Sequence, residues 1–333
     1  MKTCISLFIG VLLFAGCQST SHPPKWLSNP KSVYPENRYL VAVGEGDTRR
    51  SAENDAAGNL SRIFESRIES TERLFDETHE TTTSFNRTSD YSSAVNIKSD
   101  QTLYNIQFAE AWQDQKGRIH AIAYLDRRKT ADIYREKINK LAAQVHFFIA
   151  QAQNERDLLK KYAALRSAVH RSTEVTQLLR QLKTIHSPSV PSTTPSYNPN
   201  KIKKELAETA RKIRVQIHVQ GDEGNRMKTV LEEIITHYGF VIGKSPTLLC
   251  SGTVSISDTG QRNANLVFLR YTFVIKLQTT DSTTLLSLHE KGREGHINKP
   301  EARIRIFRTL EQTIKPQAIQ QLDLYFNKLV APE

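Results

Sequence analysis

The sequence predicts an α+β protein built in two parts, a β-α-β-β domain and a β-α-β-β-β-α domain, joined by a long helical pair and a Pro/Ser linker. Three observations carry this. The apolar residues alternate with period two near both ends of the chain, but fall at steps of three and four over residues 129–185. A Ser/Thr-rich stretch at 186–200 then holds four prolines in fifteen residues. The resulting divisions are a signal segment at 1–16, a tether at 17–36, a first domain at 37–128, a helical pair at 129–185, a linker at 186–200 and a second domain at 201–333.

The chain begins MKTCISLFIGVLLFAGC. Lys2 supplies a positive start, Ile5 to Phe14 is an apolar run, and Ala15-Gly16 are small residues directly before Cys17. The run is shorter than the roughly 20 apolar residues a lasting transmembrane helix requires. It reads as an export signal cleaved before Cys17, whose thiol takes a lipid and whose freed amine is acylated. Gln18 follows where an Asp would retain a lipoprotein at the inner membrane, so the expected address is the periplasmic face of the outer membrane. Of the three cysteines, Cys4 leaves with the signal and Cys17 carries the lipid. Cys250 is left without a partner for an internal disulfide.

Pro23, Pro24, Pro30 and Pro35 mark the tether, with Trp26 placed to dock on the domain that follows. Tyr39 to Gly44 is a buried strand by composition, and Gly44-Glu45-Gly46 is expected to turn the chain. Asp47 or Thr48 caps a helix whose apolar face is Ala52, Ala56, Leu60, Ile63, Phe64 and Ile68. A dinucleotide fingerprint is excluded, because its third glycine would fall at Arg49. Residues 78–101 are rich in Ser and Thr and read as a loop or an exposed ribbon. A hairpin follows: Tyr104, Ile106, Phe108 and Trp112 on one strand, a turn at Asp114 to Gly117, and Ile119, Ala121, Ala123 and Leu125 on the return.

From Lys129 the period is helical, through Tyr134, Ile138, Leu141, Val145, Phe148 and Ala152. It breaks at residues 153–157 and resumes at Leu158, Tyr162, Leu165 and Val169, which predicts two antiparallel helices, with one continuous dimer-forming coiled coil as the alternative. The second domain opens on a strand with Ile213, Val215, Ile217 and Val219. A helix stripe from Met227 to Tyr238 ends at Gly239. Strands follow at Leu248–Ser257, Leu266–Thr279 and Thr284–Glu290, and then a helix opened by Pro300 and expected to kink or break at Pro316.

The net charge of +11 is unevenly spread. Residues 127–214 hold 19 Lys and Arg against 7 Asp and Glu, so essentially the whole basic excess sits on and around the helical pair. For an exported chain the partners implied are anionic headgroups, acidic wall polymers or an acidic envelope protein, and no nucleic acid is expected.

The strings YLVAVGEGDTRRSAENDAAGNLSRIF and AWQDQKGRIHAIAYLDRRKTADIY make the first domain resemble the Lpp-twenty family of bacterial envelope lipoproteins. The matching positions are Gly44, Gly46, Ala52, Ala56, Ala57, Trp112, Gly117, Ala121, Ala123, Leu125, Asp126 and Arg127. The resemblance runs from about Trp26 to Tyr134. It implies a membrane-anchored envelope protein with a β-α-β-β core, and carries over no catalytic residue.

A search for chemistry finds little. The densest metal-type group is His289, Glu290, Glu294 and His296, which lacks the i, i+4 histidines of a zinc helix. Cys250 shares strand parity with Leu248, Val254 and Ile256 and is expected in the core. Asp126 is expected to end a strand and cap the next helix rather than form a site with Arg127 and Arg128. Trp112 and Tyr124 are expected to pack. Cys17 is therefore the one assigned site residue, with no catalytic, cofactor or metal site. The function expected is a non-enzymatic outer-membrane lipoprotein that holds envelope machinery, its helical pair binding an envelope protein or wall polymer. The alternatives are an envelope hydrolase assembled from distant residues, which a deep polar cleft holding paired carboxylates or the convergence of His289 and His296 would favour, and a small-ligand or lipid carrier, which would need an apolar cavity under one sheet.

Overall fold

The computed structural model describes residues 22–79, 103–263 and 266–330. The signal segment and Cys17 lie outside these residues, as does most of the Ser/Thr-rich stretch. Both predicted α+β patterns are present, on a three-stranded and a five-stranded sheet. The described residues group into two compact units, each considered separately below. The first takes in residues 22–78, 103–133 and 184–187, and the second 134–183 and 188–330.

In the first unit, helices α1 (Lys25–Ser28) and α2 (Pro30–Val33) precede strand β1 (Tyr39–Gly46) and helix α3 (Arg49–His79). The segment expected to be a tether is thus partly folded, and Trp26 is buried with its indole Nε1 3.4 Å from Glu110 Oε2. Strands β2 (Gln107–Gln113) and β3 (Ile119–Asp126) complete an antiparallel sheet of order β1-β3-β2.

Gly44 and Gly46 do not turn the chain; both lie inside β1, paired with Ala121 and Ile119. Their role is close approach. A Cβ on Gly44 would stand 2.1 Å from the backbone nitrogen of Ala56 in α3. The small side chains Ala42, Ala52, Ala56, Ala121 and Ala123 are buried around that contact, with Leu60, Phe64 and Leu125 filling the space beyond it.

The hairpin forms with its turn at the predicted place, where Asp114 Oδ1 accepts from the backbone nitrogens of Lys116 and Arg118. Its first strand starts later than expected, and a bulge sets two residues of β2, Ala109 and Glu110, against one of β3. Phe108 is therefore opposite Ala123 but Trp112 is opposite His120, on the other face of β3. The simple alternation read from the sequence fails across the bulge.

Helices α4 (Arg127–Asn154) and α5 (Leu158–His186) form with the break where the heptad rhythm lapses. They are not a module of their own: most of each helix belongs to the second unit, while residues 127–133 and 184–186 belong to the first. The expected linker is not an extended chain. It contains a 3-10 turn (Ser187–Ser189) and helix α6 (Val190–Thr193), and Pro199 opens helix α7 (Pro199–Ala210). Thr193 is buried and Tyr197 packs on the core of the second unit.

The second unit continues with β4 (Arg214–Gln220), α8 (Arg226–His237) and a two-residue strand, β5 (Val241–Ile242), that the sequence reading missed. Three long strands follow, β6 (Leu248–Asn263), β7 (Leu266–Thr279) and β8 (Thr284–His296), and then helix α9 (Lys299–Leu329). The sheet order is β5-β4-β6-β7-β8, with β4 parallel to its neighbours and the rest antiparallel. Leu269, Tyr271, Phe273, Ile275 and Leu277 of β7 are buried and face the core, with Val267 half-buried on the same side.

Helix α9 is continuous through Pro316 rather than ended by it. A proline inside a helix costs about 3 kcal/mol. Here Leu310, Ile314, Ala318, Leu322 and Phe326 are all buried on either side of it, and their burial outweighs that cost. Tyr162, Phe240 and Phe326 stack edge to face, with ring centroids 4.9 and 5.1 Å from Tyr162. The Tyr162 hydroxyl donates to the carbonyl of Tyr238 at 3.1 Å, and Arg166 pairs with Asp323 at 2.6 Å. These contacts lock α5 to α8 and α9.

Gly44→Ala should destabilise the chain by about 1–3 kcal/mol, because the added methyl meets helix backbone that has no side chain to move aside. Urea unfolding of wild type and variant measures it; equal midpoints would mean that the close approach is not obligatory.

Candidate functional site

The assigned site residue, Cys17, precedes the described residues. The other groups weighed in the sequence can each be placed.

His289, Glu290, Glu294 and His296 all lie on β8. Strand alternation puts His289 on one face and Glu290, Glu294 and His296 on the other. Glu290 and Glu294 turn towards α9, where Glu294 accepts from Thr309 at 3.0 Å and pairs with Arg305 at 2.9 Å, and Glu290 contacts Gln317 at 3.4 Å. His289 and His296 therefore do not converge, which removes one of the two arrangements that would favour the hydrolase alternative. Among the described residues no group of three or more His, Cys, Asp or Glu is arranged to hold a metal ion. Gly292 is explained by packing: a Cβ there would lie 2.4 Å from the hydroxyl of Tyr271, its cross-strand partner.

Asp126 and Arg127 form a corner of the first unit. Asp126 Oδ1 accepts from the backbone nitrogens of Arg128 and Lys129 at 3.0 and 3.2 Å, the predicted N-cap of α4. Arg127 is buried, and its guanidinium is satisfied by carbonyls. Nε donates to Glu36 at 2.9 Å and Tyr39 at 3.4 Å, and Nη1 donates to Thr184 at 3.0 Å and Ile185 at 2.8 Å. The last two are orphan carbonyls at the end of α5, where a cation also meets the negative pole of the helix. Burial lowers the Arg127 pKa, with Arg67 adding to the effect and Glu36 opposing it. The corner is a structural clamp, with no open position for a ligand in these contacts.

Trp112 and Tyr124 are half-buried and belong to different aromatic contacts. Trp112 lies against His120 at 5.7 Å, whereas Tyr124 joins Tyr34 at 4.9 Å and Tyr39 at 5.8 Å. Cys250 is buried in β6, and burial pushes its thiol up to about 12. A thiolate is not populated there at neutral pH, so Cys250 is inert as nucleophile or ligand.

Open clefts occur around the β4–α8 loop and the start of α9, with volumes of about 360 to 410 Å³. Their charges are mutually neutralised. Arg226 makes a two-pronged pair with Glu311 at 2.7 and 2.8 Å, Lys315 meets Glu233 at 2.7 Å, and Arg303 pairs with Glu223. Asp222 caps α8 through the backbone nitrogens of Met227 and Lys228. Such pairs hold α8, α9 and the loop in place. The sequence reading passed over another group, the cations of β4, β7 and β8. Their signal was legible: on each strand the Lys and Arg share one parity, and every Asp or Glu of β8 has the other.

No helix among the described residues is long and apolar enough to cross a membrane. Residues 24–126 match the family model of the LPP20 lipoproteins. The first unit is similar to that family. The match covers nearly the span drawn from the N-terminal motifs and leaves out the second unit. No curated protein matches the chain. Among solved structures, the secreted protein HP1454 from Helicobacter pylori aligns at 14% identity over 89% of this chain and 99% of its own, with a TM-score of 0.42. A minor lipoprotein from Acinetobacter baumannii aligns at 13% identity over 32% of this chain and 90% of its own, with a TM-score of 0.24. Scores this low carry no argument about this chain.

In the native protein Cys250 should resist a maleimide at pH 8 and react fully once unfolded in denaturant, as followed by mass spectrometry on the chain lacking Cys4 and Cys17. Fast labelling of the folded chain would contradict the buried placement.

Proposed function

We propose that this chain is a lipid-anchored bacterial envelope lipoprotein, held at the periplasmic face of the outer membrane through Cys17, and that it is a non-enzymatic docking scaffold. The observation that carries the reading is order along the chain. An export-type signal ends in Ala-Gly-Cys17, and a unit similar to the LPP20 lipoproteins begins a few residues later.

The basic helices are the partner surface in this reading. In the second unit, Lys140, Arg156 and Lys160 are exposed along α4, α5 and the turn between them, and Lys201, Lys203, Arg211 and Lys212 are exposed on and just after α7. An acidic envelope protein or wall polymer is the complementary chemistry. The placement of the ionisable groups is consistent with binding rather than catalysis: Cys250 is buried, and the Arg226, Arg303 and Lys315 pairs serve to join helices.

Replacing Cys17 by Ala should abolish incorporation of labelled fatty acid and move the protein from the outer-membrane to the soluble fraction, with the heat-unfolding midpoint of the folded units unchanged. Crosslinking in cells should join the basic helices of the lipidated protein to an acidic envelope component. A Cys17→Ala chain that still sediments with the outer membrane would refute the anchor, and a crosslinking survey that finds no envelope component would refute the scaffold.

A further inference from the structure

The five-stranded sheet has helices α8 and α9 against one face, and the other face is open. Strand register defines what that open face presents. On β4 it holds Arg214, Gln216, His218 and Gln220, and on β6 Leu249, Ser251, Thr253, Ser255 and Ser257. On β7 it holds Leu266, Phe268, Arg270, Thr272, Val274, Lys276 and Gln278, and on β8 Ser287, His289, Lys291 and Arg293. Nearly all of these are exposed, and none is a carboxylate. The acidic residues of the same strands, Asp258, Glu290 and Glu294, point the other way, where Lys299, Gln317 and Arg305 meet them. Asp281 lies in the turn after β7, at the sheet's end, bound to Thr279 and Thr283.

This segregation is not explained by folding. The second domain holds 20 Lys and Arg against 14 Asp and Glu, yet its open sheet face collects five cations and no carboxylate. Arg270 and Arg293 are direct cross-strand partners. Like charges so placed destabilise a sheet. No carboxylate pairs with Arg214, Arg270, Lys276, Lys291 or Arg293 among the described residues. Arg293 donates to the amide oxygen of Gln261 at 2.7 Å, which leaves its charge unopposed, and an outside anion would be complementary to the whole set. Six serine and threonine hydroxyls, on β6, β7 and β8, lie among the cations as hydrogen-bond donors.

The apolar residues on the same side decide between classes of anion. Leu266 is 38% exposed and Val274 44%. Cations interspersed with exposed aliphatic side chains suit a lipid headgroup boundary, where the charges meet phosphate and the aliphatic tips enter the acyl region. A polynucleotide would call for stacking platforms. Apart from the imidazoles of His218 and His289, the ring on this face is Phe268, and it is covered by the Arg293 guanidinium 5.0 Å from its centroid. We infer that the open face of the β4-β6-β7-β8 sheet is a docking surface for anionic phospholipid headgroups, separate from the basic helices. The inference does not depend on lipidation of Cys17.

The test uses the unlipidated chain from Gln18 onward, which keeps every described element, in flotation with vesicles. The chain should partition onto phosphatidylcholine vesicles containing about a third phosphatidylglycerol, and not onto pure phosphatidylcholine. Partitioning should fall more than tenfold at about 1 M salt, where the screening length is about 3 Å. A chain carrying Arg270→Gln, Lys276→Gln and Lys291→Gln should bind about fivefold more weakly per cation removed, on the order of a hundredfold in all. A control chain carrying Lys140→Gln, Lys160→Gln and Lys203→Gln on the helices should bind like wild type. The helix variant should keep the wild-type heat-unfolding midpoint and the sheet variant should match or slightly exceed it, since Arg270→Gln relieves the repulsion with Arg293. Equal binding to neutral vesicles would overturn the inference. So would loss of binding in the helix variant but not in the sheet variant, or retention by soluble dextran sulfate with no binding to vesicles. Failure here would leave the Cys17 anchor standing, because no lipidated protein enters the assay.

Discussion

Two-residue alternation along paired strands is the constraint that fixes which side chains of this protein can act together. Register locks each strand to its neighbour, so a residue's parity decides its face across the whole sheet. In the second unit one parity of β7 is Leu269, Tyr271, Phe273, Ile275 and Leu277, buried against the helices. The other parity must face away, whatever its chemistry. On β8 the same rule divides a compact cluster of histidines and glutamates into two unrelated sets, and gathers Lys291 and Arg293 beside Arg270. A chemical site suggested by nearness in sequence dissolves, and a cationic surface scattered over three strands takes its place.

Outside the sheets, stability depends on backbone groups being satisfied at element ends. Arg127 is the clearest case, because one buried guanidinium serves carbonyls before β1 and at the end of α5. Asp126 and Asp222 do the complementary work at helix starts, accepting from otherwise orphan nitrogens. Charged side chains in this protein thus fall into two populations. One is buried or paired and belongs to the architecture. The other is exposed and unopposed, and is available to partners.

Much of the fold was legible because its elements are long and strongly periodic. The stripe from Met227 to Tyr238 and the alternation through β7 each admit one reading, and the break between α4 and α5 falls where the apolar rhythm lapses. The errors have physical causes. Gly44-Glu45-Gly46 resembles a turn, but the glycines serve the approach of α3, at Ala56 for Gly44 and at Ser51 and Ala52 for Gly46. Phe108 and Trp112 share parity in the sequence, and a bulge reverses it. Pro316 breaks a helix locally, yet the buried residues on both sides hold α9 together. The prolines of 186–200 suggested an extended linker, but Pro191 and Pro199 occupy first-turn positions of helices, where a missing N–H costs nothing. For the functional surface, the residues were visible and their grouping was not. Counting charge by segment drew attention to the helices, whereas sorting charge by strand parity exposes the sheet.

The most direct test of the account is to ask which surface contacts an anionic bilayer. An environment-sensitive fluorophore on a cysteine introduced at Thr253, central on the open face, can be compared with one at Glu208 on α7, since buried Cys250 does not compete for label. The account predicts that vesicles containing phosphatidylglycerol shift the emission of the Thr253 probe to shorter wavelength and leave the Glu208 probe unchanged. A shift at Glu208 with none at Thr253 would contradict it.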